Sequence, residues 1–273
     1  MKIRVIAAVA LLPLLLVVVL VLPKICTAIL FGLLAAIGAY ELMWGTGLVK
    51  QPRLILYAAL MSIAVCIWCA YGVIYPWAVL GLFVFTALVF SELLISQTKL
   101  PLDKIAITFM AGIVVPLMLG ALVRLISLRE GRFYILIPFV IAFLSDTGAY
   151  FAGCFFGKHK LAPVISPKKT VEGLVGGVAG AIVGMVLYCV VLQFGFGFKV
   201  NFGFAVIYGI FGSLAAVFGD LCFSAIKRQT GIKDYGNLIP GHGGVLDRFD
   251  SMTIVAPLVE LLMSMIPVAV KLW

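Results

Sequence analysis

Residues 219–251 read GDLCFSAIKRQTGIKDYGNLIPGHGGVLDRFDS, and they extend from the end of one apolar run, 202–226, to the start of the next, 251–270. Acidic and basic side chains are concentrated in this segment of an otherwise apolar chain. Carboxylates can hold a divalent cation, basic groups can hold phosphate, and glycines let the backbone approach a ligand. This combination is typical of a phosphoryl or nucleotidyl transfer site, in which a metal ion and cationic side chains share the negative charge. The charged residues are Asp220, Lys227, Arg228, Lys233, Asp234, Asp247, Arg248 and Asp250.

The spacing of these residues predicts which of them share a surface. If the segment before Lys227 is helical, Asp220, Ser224 and Lys227 are four and three residues apart and lie on one face. Asp247 and Asp250 stand three residues apart at the start of the next apolar run, where two carboxylates could bind one ion. An alternative stays open, in which Asp247 caps a helix and Asp250 is favoured in its first turn by the helix dipole.

A glycine-rich run, Gly241-His242-Gly243-Gly244, precedes these two carboxylates. Such a run predicts a tight turn or a close approach of the backbone to a ligand. His242 is not part of a zinc site, because the other histidine of the chain, His159, lies in a different loop. Contact with phosphate and stabilisation of the turn both remain open as roles for His242.

Composition predicts an integral membrane protein. Hydrophobic residues make up 64% of the 273 residues and charged residues 11%, and the mean hydropathy is +1.24. A soluble domain has about half apolar and about a quarter charged residues. The net charge of +9 fits anionic partners such as lipid headgroups or nucleotide phosphates. No nucleic-acid-binding module is recognisable, so no nucleic-acid partner is expected.

The apolar runs predict an all-α, polytopic helix bundle, because a helix of about 20 apolar residues crosses a bilayer. The first run, after Met1 to Arg4, is interpreted as a retained span, since no small-residue cleavage site follows it. About nine spans are predicted, at 4–22, 25–43, 54–71, 73–90, 105–123, 134–152, 171–194, 202–226 and 251–270.

The distribution of basic residues predicts the orientation of these spans. With the N-terminus in the cytoplasm, 14 of the 20 Lys and Arg residues fall on the cytoplasmic side and 6 on the other. The polar site then faces the cytoplasm, where nucleoside triphosphates are found. The chain is accordingly divided into N-terminal transmembrane helices, 1–133, and a C-terminal transmembrane catalytic region, 134–273.

Three features upstream of the charged segment add candidate residues. Asp146 lies inside the sixth predicted span, where an ionisable group is costly and points to function, although a structural partnership with a basic residue or freed backbone is the alternative. Ser166-Pro167-Lys168-Lys169 predicts a helix start with Ser166 as its N-cap, and such an end bearing two lysines favours phosphate binding. A cytoplasmic basic loop would also explain these lysines. The glycine-rich span from Gly173 predicts a close-packing face for another helix, in this chain or in a second copy.

Residues 224–250, SAIKRQTGIKDYGNLIPGHGGVLDRFD, resemble the signature of the phosphatidate cytidylyltransferases, also called CDP-diglyceride synthases. The signature fixes more than a dozen positions, and the resemblance extends to SDTGAYFAG (145–153) and FGKHKLAPVISPKKTVEG (156–173). It covers roughly the second half of the chain. Two positions differ from the family pattern: Cys154 stands where arginine is usual, and Val171 where tryptophan is frequent.

The resemblance implies that CTP and phosphatidic acid react to form CDP-diacylglycerol and pyrophosphate. It implies a bacterial inner membrane protein that depends on Mg²⁺, with a monovalent cation such as K⁺ as a second candidate cofactor and a homodimer as a candidate assembly. Asp220, Asp247 and Asp250 are assigned to the metal. The residues assigned to triphosphate or lipid phosphate are Ser166, Lys168, Lys169, Ser224, Lys227, Arg228, Lys233, His242, Gly243, Gly244 and Arg248.

Three other classes of protein explain the sequence less well. A transporter would explain acidic residues at membrane depth but not the glycine-rich loop flanked by acids and bases. A CDP-alcohol phosphotransferase would carry an Asp-Gly-x2-Ala-Arg motif, which this sequence lacks. A binding or scaffold protein would not explain the paired acids beside a basic cluster.

Overall fold

The computed structural model describes residues 13–72, 75–97, 99–238, 241 and 243–271. These residues are mainly helical. Residues 13–20 are helical, and eleven further α-helices follow them in the described part of the chain. They are α1 (Lys24–Tyr40), α2 (Pro52–Tyr71), α3 (Tyr75–Ile95), α4 (Leu102–Phe109), α5 (Val115–Ser127), α6 (Gly131–Tyr134), α7 (Leu136–Phe156), α8 (Val171–Phe196), α9 (Phe202–Gln229), α10 (Leu246–Phe249) and α11 (Met252–Met265).

Two π-helical turns and four short strands complete the regular structure of these residues. The turn Glu41–Gly45 continues α1, and Met110–Val114 joins α4 to α5. Strands β1 (Lys160–Ala162) and β2 (Ser166–Thr170) pair antiparallel, as do β3 (Lys199–Val200) and β4 (Ala269–Val270).

Seven helical segments among the described residues are long and apolar enough to cross a membrane, which confirms an all-α integral membrane protein. Six of the predicted spans lie within single segments of this set, and the 73–90 span matches the seventh except at its start. The segments are Lys24–Gly45, Pro52–Tyr71, Pro76–Ile95, Leu102–Ser127, Gly131–Phe156, Val171–Phe196 and Phe202–Gln229.

The total of nine spans stays a prediction. Residues 4–12 of the predicted span at 4–22 lie outside the described residues. The predicted span at 251–270 contains a helix of only 14 residues, Met252–Met265, which is about 21 Å long against a hydrocarbon core of about 30 Å. The helix ends there because Ile266 precedes Pro267, and a residue before proline is disfavoured in helical conformation.

The chain packs as two units. The first contains the residues up to Ser127 together with Lys227–Phe249, and the second contains Leu128–Ile226 together with the residues from Asp250 onwards. Helix α9 therefore contributes its last three residues to the first unit. These units are defined by packing, whereas the predicted division at 133/134 concerned function and remains a prediction.

Glycines allow α7 and α8 to pack closely in the second unit. A Cβ added at Gly180 would lie 2.5 Å from the Leu144 carbonyl oxygen, and one added at Gly148 would lie 3.2 Å from the Gly180 Cα. The hydroxyl groups of Ser145 on α7 and Ser213 on α9 form a buried hydrogen bond of 2.7 Å. The predicted close-packing face of the glycine-rich span is therefore confirmed, and its partner is a helix of the same chain.

Candidate functional site

A buried ion pair lies at the centre of the charged segment, in the first unit. The Nζ atom of Lys227, in the last turn of α9, lies 2.8 Å from Oδ1 of Asp247 on α10. The side chains are 10% and 3% exposed, respectively. A buried charge pair is tolerated only when its remaining hydrogen-bonding capacity is satisfied, so the other contacts of this pair are informative.

Backbone amides satisfy the second oxygen of Asp247. Oδ2 accepts hydrogen bonds from the N–H groups of Tyr235 at 2.8 Å and Gly244 at 3.0 Å. The Lys227 ammonium also lies 5.3 Å from the centre of the buried Tyr235 ring, within the range of a cation–π interaction. Asp247 therefore ties the end of α9 to both ends of the loop 235–244.

The glycine-rich run forms the turn that brings the loop back to Asp247. Gly241 and Gly243 have φ values of +75° and +84°, in the left-handed region that favours glycine. A Cβ added at Gly243 would also lie 3.0 Å from Oδ2 of Asp247. The predicted tight turn is confirmed at these two positions, while His242 lies outside the described residues.

The predicted alternative role of Asp247 as a helix cap is wrong. A capping side chain accepts an N–H group two or three residues after it, whereas Asp247 accepts one three residues before it and another twelve residues before it. The N-cap position of α11 is occupied by Ser251. Asp247 thus connects loop segments that are distant along the chain.

Sequence reasoning missed Glu41, which contacts the same loop. Its side chain is buried, and its two oxygens accept hydrogen bonds from the N–H groups of Val245 at 2.9 Å and Leu246 at 2.8 Å. More than 200 residues separate the partners. The available signal was an acidic residue at the end of an apolar run, which is costly unless it is partnered.

A second ion pair, between Lys169 and Asp220, lies in the second unit. Nζ of Lys169, on β2, is 2.5 Å from Oδ2 of Asp220 on α9, and the side chains are 25% and 33% exposed. The Ser224 hydroxyl donates to Oδ1 of Asp220 at 3.1 Å. The predicted shared face of Asp220 and Ser224 is therefore confirmed.

The predicted helix start at Ser166 is wrong, because residues 166–170 form strand β2. Ala162 pairs with Ser166 and Lys160 with Thr170 in a hairpin. Helix α8 begins four residues later than predicted, and its N-cap is Thr170, whose hydroxyl accepts the N–H group of Gly173 at 3.1 Å. Lys168 and Lys169 are thus strand residues, not part of a helix N-terminus.

Glu172 organises the loop that precedes this hairpin. Its carboxylate accepts the N–H groups of Lys158 at 3.1 Å and His159 at 3.2 Å, and it lies 2.6 Å from the ring Nδ1 of His159. The negative side chain also lies in the first turn of α8, where the helix dipole favours it. The loop before the basic hairpin is therefore held to the start of α8 by one partly exposed carboxylate.

The other predicted site residues differ in exposure. Ser166 and Asp250 are half-buried, and Oδ1 of Asp250 accepts the N–H group of Ser251 at 2.7 Å. A Cβ added at Gly219 would lie 2.8 Å from the Asp250 carbonyl oxygen, so this backbone packs against α9 beside Asp220. The exposed members of the set are Asp146, Lys168, Arg228, Lys233 and Arg248.

Asp220 and Asp247 differ in how well their surroundings suit the binding of Mg²⁺. Asp220 offers a partly exposed carboxylate that already binds the Lys169 ammonium, and the buried Ser224 hydroxyl beside it is a second hard oxygen donor. Mg²⁺ is commonly held by one or two carboxylates together with substrate phosphates and waters, and this donor set fits that pattern. Both oxygens of Asp247 are already used by an ammonium group and two amides, so Asp247 fits poorly. The described residues contain no group of three or more His, Cys, Asp or Glu side chains suited to a metal.

Comparison with known proteins adds the family. The model of the cytidylyltransferase family matches residues 2–266. The chain is 45% identical over 137 residues to a protein of Staphylococcus saprophyticus named phosphatidate cytidylyltransferase, covering 50% of this chain and 51% of that protein. It is 46% identical over 134 residues to a Staphylococcus aureus protein of the same name, covering 49% and 50%. The chain thus spans about half the length of the curated relatives it matches.

Proposed function

Because this chain belongs to the cytidylyltransferase family, we propose that it transfers the cytidylyl group of CTP to phosphatidic acid, forming CDP-diacylglycerol and pyrophosphate. The observation that supports this proposal most strongly is the buried Lys227–Asp247 pair inside the signature segment of a membrane protein. The Lys227 cation is held by the Asp247 carboxylate and the Tyr235 ring, and two backbone amides fix that carboxylate. A cation positioned in this way is suited to stabilise phosphate charge without reorganisation. The names of the relatives support phosphatidate as the acceptor.

The reaction needs positioning and charge neutralisation more than a protein nucleophile. An oxygen of the lipid phosphate is anionic at neutral pH and attacks the α-phosphorus of CTP in line. The new P–O bond forms as the bond from the α-phosphorus to the bridging oxygen breaks, and pyrophosphate leaves with that electron pair. The chain must hold the two anionic substrates together and stabilise the leaving group.

The basic residues divide into two groups by location. We assign Lys227, with the exposed Arg228, Lys233 and Arg248 of the first unit, to the triphosphate and the departing pyrophosphate. In the second unit, Ser166, Lys168 and Lys169 on β2 are assigned to the lipid phosphate or the nucleotide. His242, Gly243 and Gly244 remain candidates for nucleotide contact through the loop.

For the metal, we propose Asp220 as the principal protein ligand, with Ser224 and Asp250 in supporting roles. Bound Mg²⁺ would neutralise charge on the phosphate oxygens; K⁺ remains a second candidate cofactor. Lys169 would exchange its contact with Asp220 for a substrate phosphate. Asp247 as a metal ligand stays a prediction, and we favour its role as the carboxylate that holds Lys227.

A substrate panel tests the reaction. Purified protein in detergent is incubated with CTP, Mg²⁺ and one acceptor at a time: phosphatidic acid, lysophosphatidic acid or glycerol 3-phosphate. We expect a CDP-lipid with phosphatidic acid and little product with the soluble glycerol 3-phosphate. Turnover in detergent, without two compartments, would also exclude a transporter as the explanation of the polar site. Absence of product with phosphatidic acid would contradict the proposal.

We further propose that the chain lies in a bacterial inner membrane with Lys158–Thr170 and 227–248 facing the cytoplasm, as the 14-to-6 distribution of basic residues predicts. Single cysteines introduced at the exposed positions Lys160 and Lys233 of a variant lacking its own cysteines should resist an impermeant thiol reagent in intact cells. They should react once the cells are permeabilised. Labelling of either position in intact cells would reverse the orientation. A homodimer is compatible with this arrangement and is kept as the candidate assembly.

A further inference from the structure

Residues 235–249 of the first unit, here called the signature loop, pack against one face of α1 and the π-helical turn that follows it. The ring of Phe31 meets Phe249 edge-on at 6.1 Å. A Cβ added at Gly38 would lie 3.5 Å from Leu246, and one added at Gly45 would clash with the Tyr235 carbonyl oxygen. Phe31, Gly38 and Gly45 follow one another at intervals of seven residues, so they lie on the same side of the helix. The first described transmembrane segment therefore contacts both arms of the loop.

Glu41 is the charged member of this face. It occupies the first position of the π-helical turn, a feature frequently found at functional sites. Gly236 and Gly244 lie against its carboxylate. A Cβ added at Gly236 would lie 2.6 Å from Oε1 of Glu41, and one added at Gly244 would lie 2.5 Å from it. The loop thus approaches the carboxylate at two positions where only glycine leaves room.

Three consecutive N–H groups of the loop bind to two buried carboxylates. Gly244 donates to Asp247, and Val245 and Leu246 donate to Glu41. Asp247 in turn holds the Lys227 ammonium. A change at Glu41 would consequently shift the segment that carries Asp247, and through it the position of Lys227, without touching either residue directly.

We propose that Glu41 is a positioning residue for the transfer reaction: it fixes the backbone at 244–246 so that Asp247 presents the Lys227 ammonium to the nucleotide phosphates. This inference rests on the proposed function. An apolar side chain at position 41 would be cheaper to bury, but it could not accept two amides. The carboxylate therefore stabilises the loop specifically, beyond what helix packing requires.

The test is Glu41→Gln, which keeps the length of the side chain. The amide has one oxygen, which can accept the N–H group of Val245 or of Leu246. Its NH₂ group would then face the other N–H group. We expect kcat/KM for CTP to fall by about 10- to 100-fold, the effect of losing a charged hydrogen bond. We expect the midpoint of thermal unfolding in detergent to fall modestly, because one buried N–H group loses its acceptor.

Glu92→Gln is the matched control. Glu92 is a partly buried carboxylate on α3 of the same unit, and it accepts a hydrogen bond from the Tyr57 hydroxyl at 3.2 Å. It contacts no residue of the loop in the hydrogen bonds and ion pairs of the described residues. We expect Glu92→Gln to leave kcat/KM unchanged, so that the loss in Glu41→Gln is not a general effect of removing a carboxylate from a membrane helix.

Coupling to Lys227 separates positioning from a purely structural role. Glu41→Gln should add little to the loss already caused by Lys227→Ala, because both changes act on the same ammonium group. Glu41→Asp, which keeps the charge on a shorter side chain, should recover part of the activity. Additive losses, or a loss of folded protein with normal turnover in the remainder, would overturn the inference. Should Glu41→Gln fail to fold, the same measurements on Glu41→Asp decide between these outcomes.

Hydrogen exchange makes the test independent of the reaction. In Glu41→Gln, the backbone amides of 243–249 should exchange faster than in the unaltered protein, while exchange in α7 and α8 is unchanged. Unchanged exchange in 243–249 would overturn the positioning role even if activity fell. If the unaltered protein proved inactive with CTP and phosphatidic acid, the proposed function would fail, and faster exchange would still establish the contact of Glu41 with the loop.

Discussion

Asp247→Asn is expected to lower both turnover and stability. An amide cannot reproduce the contacts of the carboxylate, because its NH₂ group must face either the Lys227 ammonium or the N–H groups of Tyr235 and Gly244. Breaking one partner of a buried charge pair costs about 3–5 kcal/mol. We therefore expect a clear drop in the thermal unfolding midpoint in detergent, together with a loss of kcat of at least about 100-fold.

The stability measurement distinguishes two roles for Asp247. If Asp247 were only a metal ligand, Asp247→Asn would preserve the size of the side chain. The unfolding midpoint in metal-free buffer would then be nearly unchanged. Asp103→Asn is the control, since Asp103 is an exposed aspartate of the first unit whose carboxylate accepts only a neighbouring N–H group among the contacts described. A large loss of turnover with an unaltered unfolding midpoint would instead support Asp247 as a metal ligand.

Asp220→Asn is expected to have the opposite profile. The Lys169–Asp220 pair is a quarter to a third exposed, and ion pairs of this kind contribute about 0–1 kcal/mol to stability. Unfolding should therefore change little. Turnover should fall by at least about 100-fold, because a neutral amide is a weaker ligand for Mg²⁺ and no longer balances Lys169. Raising the Mg²⁺ concentration should restore part of the rate.

Glu130→Gln provides the matched control for Asp220. Glu130 also belongs to the second unit and forms an ion pair with Lys271 at 3.8 Å, with side chains of similar exposure. Its neutralisation should leave turnover and the Mg²⁺ dependence unchanged. Normal turnover of Asp220→Asn at limiting Mg²⁺ would remove Asp220 from the proposed metal site.

The membrane helices were predictable because a long apolar run has one outcome in a bilayer. The helical contact between Asp220 and Ser224 was predictable for a similar reason, since residues four apart share a face. The helix start at Ser166 failed because a local Ser-Pro signal competed with the pairing of β1 and β2. Pro167 is compatible with a two-stranded hairpin, in which every strand is an edge.

The connections of the loop could not be read from sequence. Lys227 and Asp247 were assigned to different ligands, although they bind each other across a loop whose path depends on the left-handed conformations of Gly241 and Gly243. Glu41 was missed because its partners are backbone N–H groups, which every residue except proline has, so the side chains of Val245 and Leu246 do not indicate the contact. Contacts of this kind depend on where the chain folds back, which spacing along one helix does not reveal.

The most direct test of the proposed reaction follows the phosphates of CTP. CTP labelled at the α-phosphate or at the γ-phosphate is incubated with purified protein, Mg²⁺ and phosphatidic acid, and the lipid and aqueous products are separated. Attack on the α-phosphorus predicts that the α-label appears in the lipid and the γ-label in pyrophosphate, in equal amounts. Transfer of the γ-label to lipid, or a lipid that carries neither label, would contradict the account.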